Sequence, residues 1–143
     1  MLKRSALLGL LSATFVVAGC AQPVLATAGK RQKLLIQMSE ADPAKWNMAL
    51  NNAKNVQDEL GAANVDIEIV AFGPGINMIK FDSVANSRVS EAMKSGIAVV
   101  ACENTLRTLK MSRTDIITGA SFVPAGVVQI MRRQGEGWSY VRP

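Results

Sequence analysis

Cys102 closes the apolar run Ile97-Ala98-Val99-Val100-Ala101 and is followed at once by Glu103-Asn104-Thr105. That boundary places a thiol at the carboxyl end of a strand and the mouth of a helix. In open α/β sheets this edge is where ligands bind. A thiol at such a point is biased toward thiolate, the form that acts as nucleophile. The backbone N–H groups of the Glu103-Asn104-Thr105 turn would stabilise the anionic sulfur. Two further strand-to-helix junctions belong at the same edge, Gly73-Pro74-Gly75 and Pro124-Ala125-Gly126. Glycine there permits close backbone approach and positive φ. The expectation is a pocket around a partly buried sulfur, with these junctions as its walls. The Gly-Pro-Gly loop lacks the G-x-G-x-x-G spacing and the lysine of a phosphate loop, so a nucleotide role is not indicated.

Composition narrows the chemistry. The chain contains no histidine, which removes His-based triads, most zinc sites and the usual general base near neutral pH. Neither a metal nor a cofactor is called for. Hydrophobic residues make up 49% of the chain and charged residues 19%, which excludes a disordered polymer. The net charge of +5 includes Lys3 and Arg4 of the leader discussed below. The basic trio Lys30, Arg31 and Lys33 has no aromatic or basic stripe beside it and reads as a solvated tether rather than a nucleic-acid site.

These residues need a scaffold. Lys33 to Met38 reads as a first strand and Val65 to Ala71 as a second. Between them Asp42 is a good N-cap, Pro43 fits the first helical position, and Trp46, Ala49, Leu50, Ala53, Val56 and Leu60 recur at helical spacing up to Gly61. Phe72 to Asn77 reads as a loop. Ser83 to Ser95 reads as a helix with Val84, Val89, Ala92 and Met93 inward. After the strand ending at Cys102, Asn104 to Lys110 is a short helix and Ser112 to Asp115 resembles a capping box. Ala120 to Val123 is a strand, Pro124 starts a helix through Val127, Val128, Ile130 and Met131, and Trp138, Tyr140 and Val141 form an edge strand. Alternating strands and helices predict a three-layer α/β/α, Rossmann-like fold around a mostly parallel five-stranded sheet.

The N-terminus carries a different signal. Met1-Leu2-Lys3-Arg4 is a charged n-region, Ser5 to Val17 is apolar, and Val17-Ala18-Gly19-Cys20 resembles a bacterial lipobox. Residues 1–19 are then a signal peptide, Cys20 a lipidation site, 20–32 a tether and 33–143 the folded domain. The competing reading is cleavage at Ala28 in Ala26-Thr27-Ala28, which yields a soluble periplasmic protein. Both readings export the chain, and both leave Cys102 as the sole thiol of the domain.

Four stretches together carry a resemblance. They are Ser39-Glu40-Ala41-Asp42-Pro43-Ala44-Lys45-Trp46-Asn47, Val70-Ala71-Phe72-Gly73-Pro74-Gly75, Val100-Ala101-Cys102-Glu103-Asn104-Thr105 and Val123-Pro124-Ala125-Gly126-Val127-Val128. With the tail from Gly135 to Pro143, they resemble the DsrE/DsrF-like family over residues 33–143. The resemblance implies a parallel-sheet α/β/α domain that assembles with itself, a trimer or hexamer ahead of a dimer. The exposed face of the Ser83–Ser95 helix is a candidate contact. It also implies that Cys102 carries sulfane sulfur as a persulfide, received from and passed to a partner thiol. On the residues themselves a second function stays open: a membrane-tethered binding or assembly module in which Cys102 is structural.

Overall fold

The computed structural model describes residues 30–143. The leader, the lipidation expected at Cys20 and the alternative cleavage at Ala28 lie outside the described residues. Five strands form one sheet: β1 (Gln32–Met38), β2 (Val65–Ala71), β3 (Ala98–Cys102), β4 (Ser121–Val123) and β5 (Ser139–Val141). Their order is β4-β3-β2-β1-β5, and every neighbouring pair is parallel. The helices are α1 (Pro43–Leu60), α2 (Asn86–Lys94), α3 (Glu103–Thr108) and α4 (Gly126–Gly135). The three-layer α/β/α architecture is the one the alternation predicts. Among the described residues no helix is long and apolar enough to cross a membrane.

The pleat of the strands divides the core in two. On one face Leu34, Ile36, Met38, Ile67, Ile69, Ala71, Val99 and Ala101 pack against Trp46, Ala49, Leu50 and Ala53 of α1, Val89 of α2 and Leu106 of α3. On the other face Leu35, Val70 and Val100 pack against Ile130 of α4. The unequal division follows from connectivity. Right-handed crossovers carry the chain from β1 across to β4 with three helices on one side. The return to β5, beside β1, must then pass over the opposite face, and α4 makes it.

Several local expectations change. Phe72 to Asn77 is not an open loop: Gly73–Ile79 winds into a 3-10 helix that buries Ile76, Met78 and Ile79. Gly75 is required there, because a Cβ on it would lie 2.3 Å from the Met38 carbonyl oxygen. The helix expected from Ser83 begins at Asn86, and Val84 is 86% exposed rather than inward. The Ser83 hydroxyl accepts the Ala85 N–H at 3.2 Å, which spends those residues on a turn. The helix expected from Pro124 begins at Gly126, because the Pro124 carbonyl accepts the Asn104 N–H at 3.1 Å. Its Val127, Val128 and Met131 are exposed. The tether reading of the basic trio is also corrected. Arg31 bonds Asp66 and the Val65 carbonyl, both at 2.9 Å, and so staples the start of β1 to the start of β2. The Asp42 cap and the Ser112–Asp115 capping box form as the sequence predicts.

Candidate functional site

Cys102 is the last residue of β3, level with Val123 of β4. It lies two residues beyond Val100, so its side chain takes the α4 face of the sheet. The sulfur is more enclosed than expected, with the residue 5% exposed. Among the described residues it is the free cysteine.

The three junctions meet around it, though not all of their residues take part. The Gly126 N–H, in the first turn of α4, donates to Cys102 Sγ at 3.2 Å. The Thr105 hydroxyl accepts the Gly73 N–H at 2.9 Å, which ties the first junction to the second. The Asn104–Pro124 backbone bond ties the second to the third. Gly126 leaves little room for a side chain at this approach: a Cβ there would lie 3.1 Å from Phe72 Cβ and 3.3 Å from Cys102 Cβ. Gly75 serves the end of β1 instead, and Glu103 turns its carboxylate to Arg113. The Asn104 side chain accepts from Arg107.

Burial pushes the Cys102 thiol up, but the hydrogen bonds outweigh it. The Thr105 hydroxyl and the N–H groups of Gly126, Thr105 and Asn104 together hold its pKa below that of an ordinary thiol. A donor that bonds the charged form favours that form.

Two hollows flank these groups. An open groove of about 600 Å³ runs along Phe72, Gly73, Pro74, Asn104, Thr105 and Leu109. A smaller cleft of about 170 Å³ lies on the Pro124 and Ala125 side. The groove falls in the size range of small-molecule sites and is mostly apolar. A separate cleft between α1 and α2, around Lys54, Arg88 and Glu91, contains no thiol. Among the described residues no group of three His, Cys, Asp or Glu side chains converges on a metal position.

One buried cluster on the same face of the sheet was not singled out from the sequence. Glu68, on β2 and 2% exposed, accepts from Gln129 at 2.8 Å and from Arg133 at 2.9 and 2.6 Å. The signal was present: a carboxylate two residues before Val70, in a strand covered on both faces, must be buried and therefore paired.

No family model and no curated protein sequence matches the chain. The solved structure of a conserved protein of unknown function, BT1422 from Bacteroides thetaiotaomicron, shares the fold at a TM-score of 0.62 and 17% identity, covering 78% of this chain and 95% of that one. The protein of unknown function MTH1491 from Methanobacterium thermoautotrophicum is 36% identical, with a TM-score of 0.75 over 78% of this chain and 99% of its own. At that identity and coverage, the chain belongs to the same family as MTH1491.

Proposed function

We propose that the protein is an exported sulfur carrier that holds sulfane sulfur as a persulfide on Cys102. The observation that supports this most directly is the Gly126 N–H on Cys102 Sγ at 3.2 Å, at the edge of the sheet where the three junctions meet. A thiol held toward thiolate is a nucleophile at neutral pH. Its attack on the outer sulfur of a donor persulfide, R–S–SH, forms a Cys102–S–S bond and breaks the donor S–S bond. The donor leaves as R–S⁻ with the electron pair, and the proton stays on the transferred sulfur. An acceptor thiolate reverses the exchange on Cys102–S–SH. The step needs no metal, cofactor or net oxidant. The DsrE/DsrF-like resemblance supports the same reading, as does the groove beginning at Thr105, which offers a donor its approach.

Self-association and export complete the proposal. The exposed Val127, Val128 and Met131 make the outer side of α4 a better contact than α2. The Val17-Ala18-Gly19-Cys20 run supports a lipid anchor and a periplasmic address.

The burial of Cys102 favours a second reading, a non-catalytic assembly module with a structural thiol. Mass spectrometry of the protein after exposure to polysulfide separates the two. The carrier gains 32 Da on Cys102, an adduct lost in Cys102→Ser. A thiol that stays unmodified while a control carrier is loaded, and alkylates only after denaturation, establishes the structural reading instead.

A further inference from the structure

Glu68 stands apart from the proposed chemistry, yet its partners lie on the helix that reaches the thiol. Gly126, Gln129, Ile130 and Arg133 follow one another at helical spacing and form the inner stripe of α4. Gly126 meets the sulfur at one end of that stripe. Ile130 enters the small apolar core beside Val70 and Val100. Gln129 and Arg133 hold the two oxygens of Glu68, one each. Apolar packing on this face is thinner than on the other, four buried residues with the partly buried Phe72, Val123 and Trp138 against them, and packing is non-directional. A carboxylate gripped by an amide and a guanidinium fork is directional. It fixes both the rotation of α4 and its position along its axis.

We propose that Glu68 is a positioning residue, which anchors α4 through Gln129 and Arg133 and thereby holds the Gly126 N–H on the Cys102 sulfur.

The charged groups around the anchor are known. Arg132 of α4 donates to Gln129 at 3.1 Å, and Glu136 accepts from Arg133 at 2.9 Å. Lys33 of β1 and Arg133 lie against the Trp138 ring at 5.9 and 4.7 Å. Glu68 itself makes no contact with Cys102 and acts through α4. The inference rests on Cys102 being the reactive thiol, and the test keeps the two claims apart.

Two variants are compared with the full domain: Glu68→Gln, which keeps the shape and removes the charge, and Glu68→Leu with Arg133→Leu, which replaces the buried pair by apolar side chains, a change that folds tolerate well. The readouts are Cys102 alkylation by iodoacetamide near pH 7 and near pH 10, and hydrogen exchange of the Gly126 amide. The expected result in a folded variant is a five- to tenfold slower reaction near pH 7, an unchanged rate near pH 10 and at least tenfold faster exchange at Gly126. Folded variants with wild-type profiles overturn the proposal. So do equal changes at both pH values, which report altered access rather than a lost hydrogen bond. If both variants fail to fold, Glu68 serves the fold and not the site, and the proposal is again wrong. A wild-type Cys102 inert in the native state would sink the carrier reading alone, since Gly126 exchange still decides whether Glu68 positions α4.

Discussion

Gly126→Ala tests the thiol's surroundings with a single methyl group. The added Cβ would sit 3.1 Å from Phe72 Cβ and 3.3 Å from both Cys102 Cβ and Phe72 Cδ1. Carbon atoms pack comfortably at about 3.5–4.0 Å, so a few tenths of an ångström must be found. The two Cβ atoms are fixed to backbone at the ends of β2 and β3, the centre of the sheet. The first turn of α4 therefore moves. Overpacking of this kind costs about 1–3 kcal/mol, and alanine's better helix propensity returns at most about 1 kcal/mol. A net loss of about 1–2 kcal/mol is expected in urea denaturation. The same displacement stretches the N–H···Sγ bond from 3.2 Å. A hydrogen bond to a charged group is worth about 1.5–3 kcal/mol, and losing roughly 1 kcal/mol of it lowers the thiolate population about fivefold. Alkylation near pH 7 should slow by about that factor, with no change near pH 10, where an ordinary thiol is already ionised. A destabilised variant whose rate near pH 7 equals that of the wild type would show that the Gly126 N–H does not govern the sulfur. A stabilised variant would refute the packing argument itself.

Other substitutions separate the site from its frame. Cys102→Ser should cost no more than about 1 kcal/mol, because the serine oxygen accepts the same Gly126 bond; a loss above about 3 kcal/mol in urea would mark the residue as a core element. Gly75→Ala should cost about 3 kcal/mol or abolish folding, read by circular dichroism, since its Cβ overlaps backbone atoms at 2.3 to 2.7 Å. Arg142 and Ser39 hydrogen bonds hold Glu40 down from 4.5 to about 2. A carboxylate with a depressed folded pKa stabilises above its unfolded value and loses that contribution as pH falls through the folded one. The Tm difference between wild type and Arg142→Gln should therefore be full near pH 6, shrink below about 4.5 and vanish near 2; a difference independent of pH would mean the pair is not the cause.

What the sequence made legible was local. The strand ending at Cys102 could be read from five apolar residues and a polar boundary. The α1 start followed from Asp42 and Pro43, and the order of alternating elements was enough for the parallel sheet. The misreadings are local rules overruled by contacts from elsewhere. Val84 fits a helical stripe, but the Ser83 hydroxyl turns the chain before the helix begins. Phe72–Asn77 carries turn residues, yet the sheet needs Ile76, Met78 and Ile79 as cover. Arg31 looks like tether until β2 supplies Asp66, 35 residues away.

The three junctions around the thiol could be read from the sequence, but the individual bonds among them could not, and for the same reason. The Gly126 donor is 24 residues from Cys102, the Gly73–Thr105 bond spans 32, and Glu68 meets Gln129 and Arg133 across 61 and 65. No spacing rule connects such pairs. For Gly126, Gln129 and Arg133 the connection is the fold's one long return, which brings α4 over the second face, while Gly73 meets Thr105 because β2 and β3 are neighbours. A helix with few apolar neighbours needs a directional anchor, and a buried carboxylate at the middle of β2 is placed to provide one. On the anchoring role proposed for it, the Glu68 carboxylate is what the geometry around Cys102 depends on.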